Sequence, residues 1–216
     1  MCTRFYVEPH YYTSLITRAQ QSPLGQEMLR SLGKALTMTR DIAPTNVACT
    51  LAPNKDGKPS VFPMIWGFTH DAVDKAIVNC RLESADSKDL WKDSWYRRRC
   101  VIPATWYYEW GHPNEGNTSV IGRKGKKSVG EKYIIQPKDS EETYLAGLYR
   151  MEEHRGITVP VFAVITRDAV GDLKKIHDRM PLIIGRENVV EWIRVDSDPW
   201  EISQKALTEM CWEKAV

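Results

Sequence analysis

The sequence lacks three features that would point to a membrane or a secreted protein. Its longest apolar runs fall far short of the roughly 20 residues that cross a bilayer. Arg4, Glu8 and His10 interrupt the first ten positions, so no signal peptide is expected. Because the formal net charge is only +2, any binding of nucleic acid must depend on a local basic patch. We therefore expect an ordinary soluble protein without a membrane partner.

Cysteine is scarce and its spacing excludes further classes. The five cysteines are odd in number, widely separated, and contain no C-x-x-C pair; they are Cys2, Cys49, Cys80, Cys100 and Cys211. This pattern argues against a zinc site and against a disulfide framework. We expect a reducing, cytoplasmic location and no bound metal.

The fold class follows from short apolar stretches separated by turn residues. Hydrophobic residues make up 42% of the 216 residues, enough for a real core, and one domain over residues 1–216 is the simplest organisation. Helices are predicted at 10–21, 24–32, 87–96, 187–194 and 200–209, and strands at 47–53, 61–68, 76–79, 100–102, 106–110, 132–136, 143–148 and 161–165. The irregular order predicts an α+β fold around a mixed, largely antiparallel sheet with peripheral helices.

Residues 111–131 form a loop of unusual composition. The loop contains five glycines and a basic cluster, Arg123, Lys124, Lys126 and Lys127. A long loop within a compact domain is usually either functional or flexible. Two interpretations stay open: a solvated insertion, or a basic arm close to a polyanion.

Cys2 directly follows the initiator Met1. Removal of Met1 would leave an α-amine and a thiol on one residue, and such a 1,2-aminothiol condenses with an aldehyde and then closes a five-membered thiazolidine. The ordinary pKa values of the amine, about 8, and of the thiol, about 8.5, leave both nucleophiles usable near neutral pH. Taken alone, a cysteine at position 2 is equally consistent with chance.

Three polar segments are candidates for the rest of a site. Asn79, Arg81 and Glu83 alternate at the end of an apolar strand, which predicts that they share one face. Glu109 lies among aromatic residues, where a carboxylate that loses solvation suits proton transfer. His177, in the run Ile-His-Asp-Arg, is a natural proton carrier near pH 7. Each segment alone also has a purely structural interpretation.

The motifs together are more specific than any of them alone. Their fixed order resembles that of the SOS response-associated peptidase (SRAP) family, from residue 2 to about residue 193 and on toward the end. The resemblance rests on Cys2 with Arg4-Phe5, Ala43-Pro44-Thr45, Trp66-Gly67, Asn79-x-Arg81-x-Glu83, Arg99-Cys100-x-x-Pro103-Ala104, Tyr108-Glu109-Trp110 and Ile176-His177-Asp178-Arg179-Met180-Pro181. Because the last six residues look like the start of the family's tail, we expect a short or truncated member.

The resemblance implies a barrel-like sheet core and a defined chemistry. Members of the family remove their own Met1 and use Cys2 to trap abasic sites in single-stranded DNA as a thiazolidine that shields the lesion. By motif match, Asn79 would position Cys2 or the sugar, Glu109 would take a proton from the amine, and His177 would donate a proton to open the sugar ring. No metal or organic cofactor is implied.

The resemblance also implies the DNA contacts. Arg4, Arg81 and Arg179 would hold flanking phosphates, and Trp66 would stack beside the lesion. The expected partner is single-stranded DNA that contains abasic sites, bound by a monomer that is associated with the nucleoid when on DNA.

The sequence departs from the family's pattern at three places. Thr3 stands where glycine is usual, Cys80 where alanine is usual, and Thr105-Trp106 where Asp-Gly is usual. Two other functions stay open at this point: a cysteine peptidase with Cys2 as nucleophile and His177 as base, and a module that binds single-stranded or modified DNA without a covalent step.

Overall fold

The structure, a computed structural model, describes residues 2–32, 38, 40–112 and 130–215. Its helices in these ranges are α1 (Pro9–Gln21), α2 (Pro23–Leu32), α3 (Asp89–Arg97), α4 (Val189–Ile193) and α5 (Pro199–Gln204). The first two match the predicted helices closely, and each begins with a proline, whose fixed φ suits the first helical position. The predicted basic cluster and Met1 lie outside the described residues.

The strands supply most of the regular structure. They are β1 (Phe5–Val7), β2 (Arg40–Ile42), β3 (Val47–Pro53), β4 (Pro59–Trp66), β5 (Phe68–His70), β6 (Val73–Ile77), β7 (Asn79–Arg81), β8 (Arg99–Ala104), β9 (Trp106–Trp110), β10 (Lys132–Pro137), β11 (Thr143–His154), β12 (Ile157–Asp168), β13 (Arg179–Pro181) and β14 (Met210–Lys214). Short 3₁₀ turns occupy Leu82–Ser84, Gly171–Lys175 and Arg186–Asn188.

One sheet closes on itself. Its strands follow the order β11-β8-β3-β4-β12, and β11 also pairs with β12, so the five strands form a barrel. Among the described pairings, β12 is parallel to β4 and to β7, and the other ladders are antiparallel. The predicted α+β class with a mixed, largely antiparallel, barrel-like core is therefore confirmed.

A second sheet brings the start of the chain to the barrel. Its order is β14-β10-β9-β1-β2, and the central strand β1 pairs Phe5 with Tyr107 on one side and with Ile42 on the other. Because β1 begins three residues after Cys2, these ladders fix where Cys2 lies.

Aromatic packing joins the two sheets. The Trp66 ring lies between Phe5 and Phe162, with ring centroids 5.0 Å and 5.9 Å away, and all three side chains are fully buried. Burying a large apolar side chain contributes about 1.5–3 kcal/mol. This cluster therefore ties β1 of the second sheet to β4 and β12 of the barrel.

Two predicted elements are wrong in the C-terminal part. The helix predicted over residues 200–209 ends at Gln204, and β14 follows as an exposed edge strand. The predicted strands at 143–148 and 161–165 are segments of a longer hairpin, β11 with β12, whose tip extends beyond the core. None of the helices in the described ranges is long and apolar enough to cross a membrane.

Candidate active site

Cys2 is fully buried and is held from two sides. The Asn79 Nδ2 atom donates a hydrogen bond of 2.8 Å to the Cys2 carbonyl oxygen. The Cys2 Sγ atom lies 3.9 Å from the carbonyl oxygen of Arg4, and that same oxygen accepts a 2.9 Å hydrogen bond from the Tyr108 backbone. The first described residue is therefore anchored to both β7 and β9.

Asn79 owes its position to a parallel ladder. β7 pairs with β12, so that Asn79 lies opposite Val164 and Arg81 lies opposite Thr166. The strand ends at Arg81, and Glu83 falls on the 3₁₀ turn that follows. The prediction that Asn79, Arg81 and Glu83 share one strand face is therefore wrong for Glu83, since the period of two stops before it is reached.

Glu109 places a carboxylate inside the protein. It belongs to β9 and is 3% exposed, and its Oε1 atom accepts a hydrogen bond of 3.3 Å from the Trp110 backbone. Its negative charge acts on both the Cys2 thiol and the His177 imidazole. The carboxylate thus lies between the two groups that the sequence predicted as nucleophile and proton donor.

The environment of Cys2 keeps its thiol protonated. Burial raises the pKa of the Cys2 thiol far above its ordinary value, and the charge of Glu109 adds to the rise. A preformed thiolate is therefore disfavoured. Any reaction at sulfur must remove the proton as the new bond forms.

His177 lies on the turn between the 3₁₀ segment Gly171–Lys175 and β13. Its Nδ1 atom accepts a 3.0 Å hydrogen bond from the Arg179 backbone, so in the neutral ring the proton is on Nε2. Burial lowers the pKa of His177, while the nearby Glu109 carboxylate opposes that shift. The turn therefore presents a neutral imidazole whose Nε2–H can donate.

Polar atoms without a described partner lie in the same region. Among the described residues, neither Asn79 Oδ1 nor the Tyr107 hydroxyl has a hydrogen-bond partner, although both atoms are buried. Tyr107 was not predicted as a site residue, yet its spacing of two from Glu109 places both on one face of β9. That spacing was the available signal. The charges of Cys2 and Glu109 reinforce burial in raising the pKa of Tyr107.

Two of the predicted arginines have guanidinium groups without an ion-pair partner in the described parts of the chain. Arg81 is exposed and Arg4 is half-buried, and both are near Cys2 through Asn79 and through the Arg4 backbone. Their positions suit contact with a polyanion that enters beside Cys2.

Arg179 is placed differently. Its guanidinium binds Glu83 at 2.5 Å and 3.0 Å, Asp168 at 2.6 Å and the Thr166 carbonyl at 2.7 Å. Because two carboxylates already neutralise its charge, the prediction that Arg179 holds a phosphate is corrected. The residue instead fastens the turn that carries His177 to β12 and to the segment after β7.

Trp66 also requires a correction. The indole has no exposed surface and its Nε1 donates a 3.0 Å hydrogen bond to the Val78 carbonyl. An indole without exposed surface cannot stack on a base, so Trp66 belongs to the core that positions β1.

The departures from the family pattern have structural explanations in two cases. Trp106 stacks on Tyr6 with centroids 4.2 Å apart, and the buried Thr105 hydroxyl accepts a hydrogen bond from the Glu8 backbone at 2.8 Å. Cys80 is a buried filler, and burial raises its pKa to about 12. Thr3 is exposed, and no contact explains it.

Metal binding and disulfide formation find no support in the described residues. These contain no group of three or more histidine, cysteine or acidic residues arranged to hold a metal ion. All five cysteines are free thiols, and Cys211 differs from the others in being exposed.

A barrel that buries an N-terminal cysteine beside an amide, a carboxylate and an imidazole defines one class of protein. The family model described as SOS response associated peptidase (SRAP) matches residues 1–215, and the chain belongs to this family. Among curated relatives, the chain is 27% identical over 176 residues to the abasic site processing protein YMR114C of Saccharomyces cerevisiae, which covers 76% of this chain and 42% of that protein. It is 26% identical over 167 residues to the abasic site processing protein YedK of Escherichia coli, covering 77% of this chain and 69% of that protein.

Solved structures agree on the fold. A crystal structure of a protein from Bacteroides thetaiotaomicron matches with a TM-score of 0.70 at 19% identity, covering all of this chain and 92% of that one. A phage-related protein from Bordetella bronchiseptica matches with a TM-score of 0.66 at 21% identity, covering 99% of this chain and 94% of that one. At such identities the likeness shows the fold alone.

Proposed function

We propose that the protein binds abasic sites in single-stranded DNA and traps them covalently through Cys2 after Met1 has been removed. The observation that carries the proposal is the convergence of Asn79, Glu109 and His177 on a buried Cys2. The relatives named as abasic site processing proteins supply the substrate class.

The reaction begins with processing and ring opening. Hydrolysis of the Met1–Cys2 peptide bond, which we assign to the protein itself, consumes one water and frees the Cys2 α-amine. The abasic deoxyribose must then open from its hemiacetal to the aldehyde. His177 Nε2–H donates a proton to the ring oxygen as the C1′–O4′ bond breaks, while the C1′ hydroxyl loses its proton.

The amine reacts first. Glu109 accepts a proton from the ammonium, and the neutral amine adds to C1′ to give a carbinolamine. Loss of one water leaves the imine. Asn79 supports this step because its Nδ2 holds the Cys2 carbonyl and its Oδ1 is a buried acceptor near the nitrogen.

The thiol closes the ring. The sulfur attacks the imine carbon, a C–S bond forms, and the thiol proton is transferred to the imine nitrogen, so that the five-membered thiazolidine is neutral and no further reagent is consumed. Because burial disfavours the free thiolate, transfer of the proton during attack fits the site better than attack by a preformed anion. The finished adduct retains the DNA strand and blocks access to C1′.

Arg4 and Arg81 are the arginines that we assign to flanking phosphates, since both lack an ion-pair partner among the described residues. Each such contact releases counterions and makes binding dependent on salt. A buried terminal residue is reached more easily by a flexible single strand than by a rigid duplex, which favours single-stranded DNA as the substrate.

A general cysteine peptidase is less compatible with this geometry. Hydrolysis of peptides by cysteine relies on an accessible thiolate, whose pKa is lowered by its surroundings. Cys2 is fully buried and its thiol pKa is raised. Peptidase chemistry is therefore assigned to the Met1–Cys2 bond alone.

The test is a denaturing gel of the purified protein with a single-stranded oligonucleotide that carries one abasic site. We expect a band of protein linked to DNA that survives heat and detergent. An oligonucleotide with the uncleavable tetrahydrofuran analogue, which has no aldehyde, should give no such band. A heat-stable band that does not need the aldehyde would contradict the proposal.

Two variants separate the amine from the thiol. Cys2→Ala keeps an α-amine after processing and should stop at the imine, which heat hydrolyses but borohydride reduces to a stable amine. Cys211→Ser is the matched control, because Cys211 is the exposed cysteine; it should behave like the wild type. If Cys2→Ala forms the heat-stable band without reductant, the thiazolidine mechanism is wrong.

A further inference from the structure

A second imidazole lies against His177. His112 follows the end of β9 by two residues, and its ring stacks on that of His177 with centroids 5.9 Å apart and planes 14° apart. The His112 backbone N–H donates a 3.1 Å hydrogen bond to the Ile176 carbonyl. This backbone contact fixes the register between the end of β9 and the turn that carries His177.

An acidic residue completes the group. The His112 Nε2 atom lies 3.6 Å from the Asp178 Oδ1 atom, which forms an ion pair when His112 is protonated. The Asp178 carbonyl accepts a hydrogen bond of 2.8 Å from the Ala169 backbone, so its main chain is held against the end of β12. His112 is therefore tethered by its backbone, by its ring and by a carboxylate.

We propose that His112 is a positioning residue for His177: it holds the plane of the His177 imidazole, and its positive charge favours the neutral His177 with the proton on Nε2. The consequence for DNA trapping depends on the proposed function, whereas the effect on His177 itself does not. Neither the motifs nor the names of the relatives assign a role to position 112.

The charges around His177 give the sign of the effect. Glu109 on β9 and Asp178 beside it favour the protonated form of His177, and burial disfavours it. A protonated His112 adds a like charge that lowers the pKa of His177, as would the α-amine of Cys2 in the processed protein. Removing the charge at position 112 must therefore raise the pKa of His177.

Two substitutions separate the ring from the charge. His112→Phe keeps an aromatic ring for the stack but carries no charge, and His112→Lys keeps a positive charge but loses the ring. The side chain of His112 is 52% exposed, so both replacements can be accommodated without filling or emptying the core. His10→Phe is the control, since His10 is an exposed histidine on α1 whose partners are Glu8 and Tyr11.

The measurement is an NMR titration of protein labelled at the histidine Cε1 positions, which gives five signals to assign. In His112→Phe we expect the pKa of His177 to rise by roughly half a pH unit to one pH unit, the effect of a like charge about 6 Å away in partly exposed surroundings. In His112→Lys and in His10→Phe it should stay near the wild-type value. An unchanged pKa in His112→Phe overturns the inference.

The rate of crosslinking to abasic single-stranded DNA gives the second readout. The acid limb of its pH profile should move upward in His112→Phe by the same amount as the His177 pKa. If the pKa moves and the profile does not, His112 does not act on the reaction and the positioning role is overturned. If the wild type forms no crosslink, the proposed function fails, while the titration still decides whether His112 acts on His177.

Discussion

Glu109→Gln changes one buried atom type and gives opposite signs for two possible limiting steps. The amide is almost isosteric with the carboxylate, so packing between Tyr108 and Trp110 is preserved. The substitution removes a base and a negative charge. It leaves the hydrogen bond between Asn79 and the Cys2 carbonyl in place.

The charge effect alone would accelerate any step limited by loss of the thiol proton. Since Glu109 raises the pKa of Cys2, its removal lowers that pKa and makes the thiolate more accessible. The loss of the base acts in the other direction, because nothing then accepts the proton of the ammonium. A positioned general base contributes about 10²- to 10⁴-fold to a rate, so we expect crosslinking near pH 7 to slow by about that factor.

The assay is a single-turnover time course of crosslinking across pH, together with fluorescence anisotropy on an oligonucleotide with the tetrahydrofuran analogue. The rate of Glu109→Gln should recover as rising pH deprotonates the amine in solution, while affinity for the analogue stays close to that of the wild type. A faster variant would mean that the thiol proton limits the reaction. An equal loss of affinity and of rate would mean that Glu109 only binds.

Three further predictions test other parts of the site. Arg81→Ala should weaken binding of single-stranded DNA and reduce the slope of log affinity against log salt by about 0.7, measured by anisotropy; an unchanged slope removes Arg81 from the phosphate path. Asn79→Leu removes one hydrogen bond to Cys2, worth about 1 kcal/mol, and should slow crosslinking about fivefold; an unchanged rate would mean that Cys2 is held without it. Trp66→Ala should lower the free energy of unfolding by about 3–5 kcal/mol in urea titrations, and stability equal to that of the wild type would contradict its core position.

Local patterns predicted the first part of the chain well. Residues 10–21 and 24–32 carry apolar residues at helical spacing behind prolines, and the strand at 47–53 is bounded by turn residues on both sides. Such signals act within a few residues and need no knowledge of the rest of the fold. The end of the chain failed for the same reason, because β14 is exposed at a sheet edge and shows no buried alternation.

The candidate site was predicted by motif and not by local physics. The order of the motifs brought Cys2, Asn79, Glu109 and His177 together, and the structure places them around one buried thiol. Whether those residues perform the proposed chemistry stays a prediction.

Long-range pairing accounts for the errors in the DNA contacts. Arg179 and Glu83 are 96 residues apart in sequence, and the sequence offered no sign that one would neutralise the other. Likewise Trp66 reads as a stacking residue beside a glycine, and only the approach of β1 and β12 makes it core. Arg99 shows the same limit: it is buried and donates to the carbonyls of Trp95 and Trp192, which lies 93 residues away.

The central claim is that the nitrogen and the sulfur of Cys2 both bond to C1′ of an abasic site. Its most direct test is mass spectrometry of the digested crosslink, without reductant. The account predicts an N-terminal peptide that begins at Cys2, lacks Met1, and carries the sugar remnant with the loss of one water and no free thiol. A peptide that retains Met1, a thiol on Cys2 that still reacts with an alkylating reagent, or a sugar attached to a lysine would contradict it.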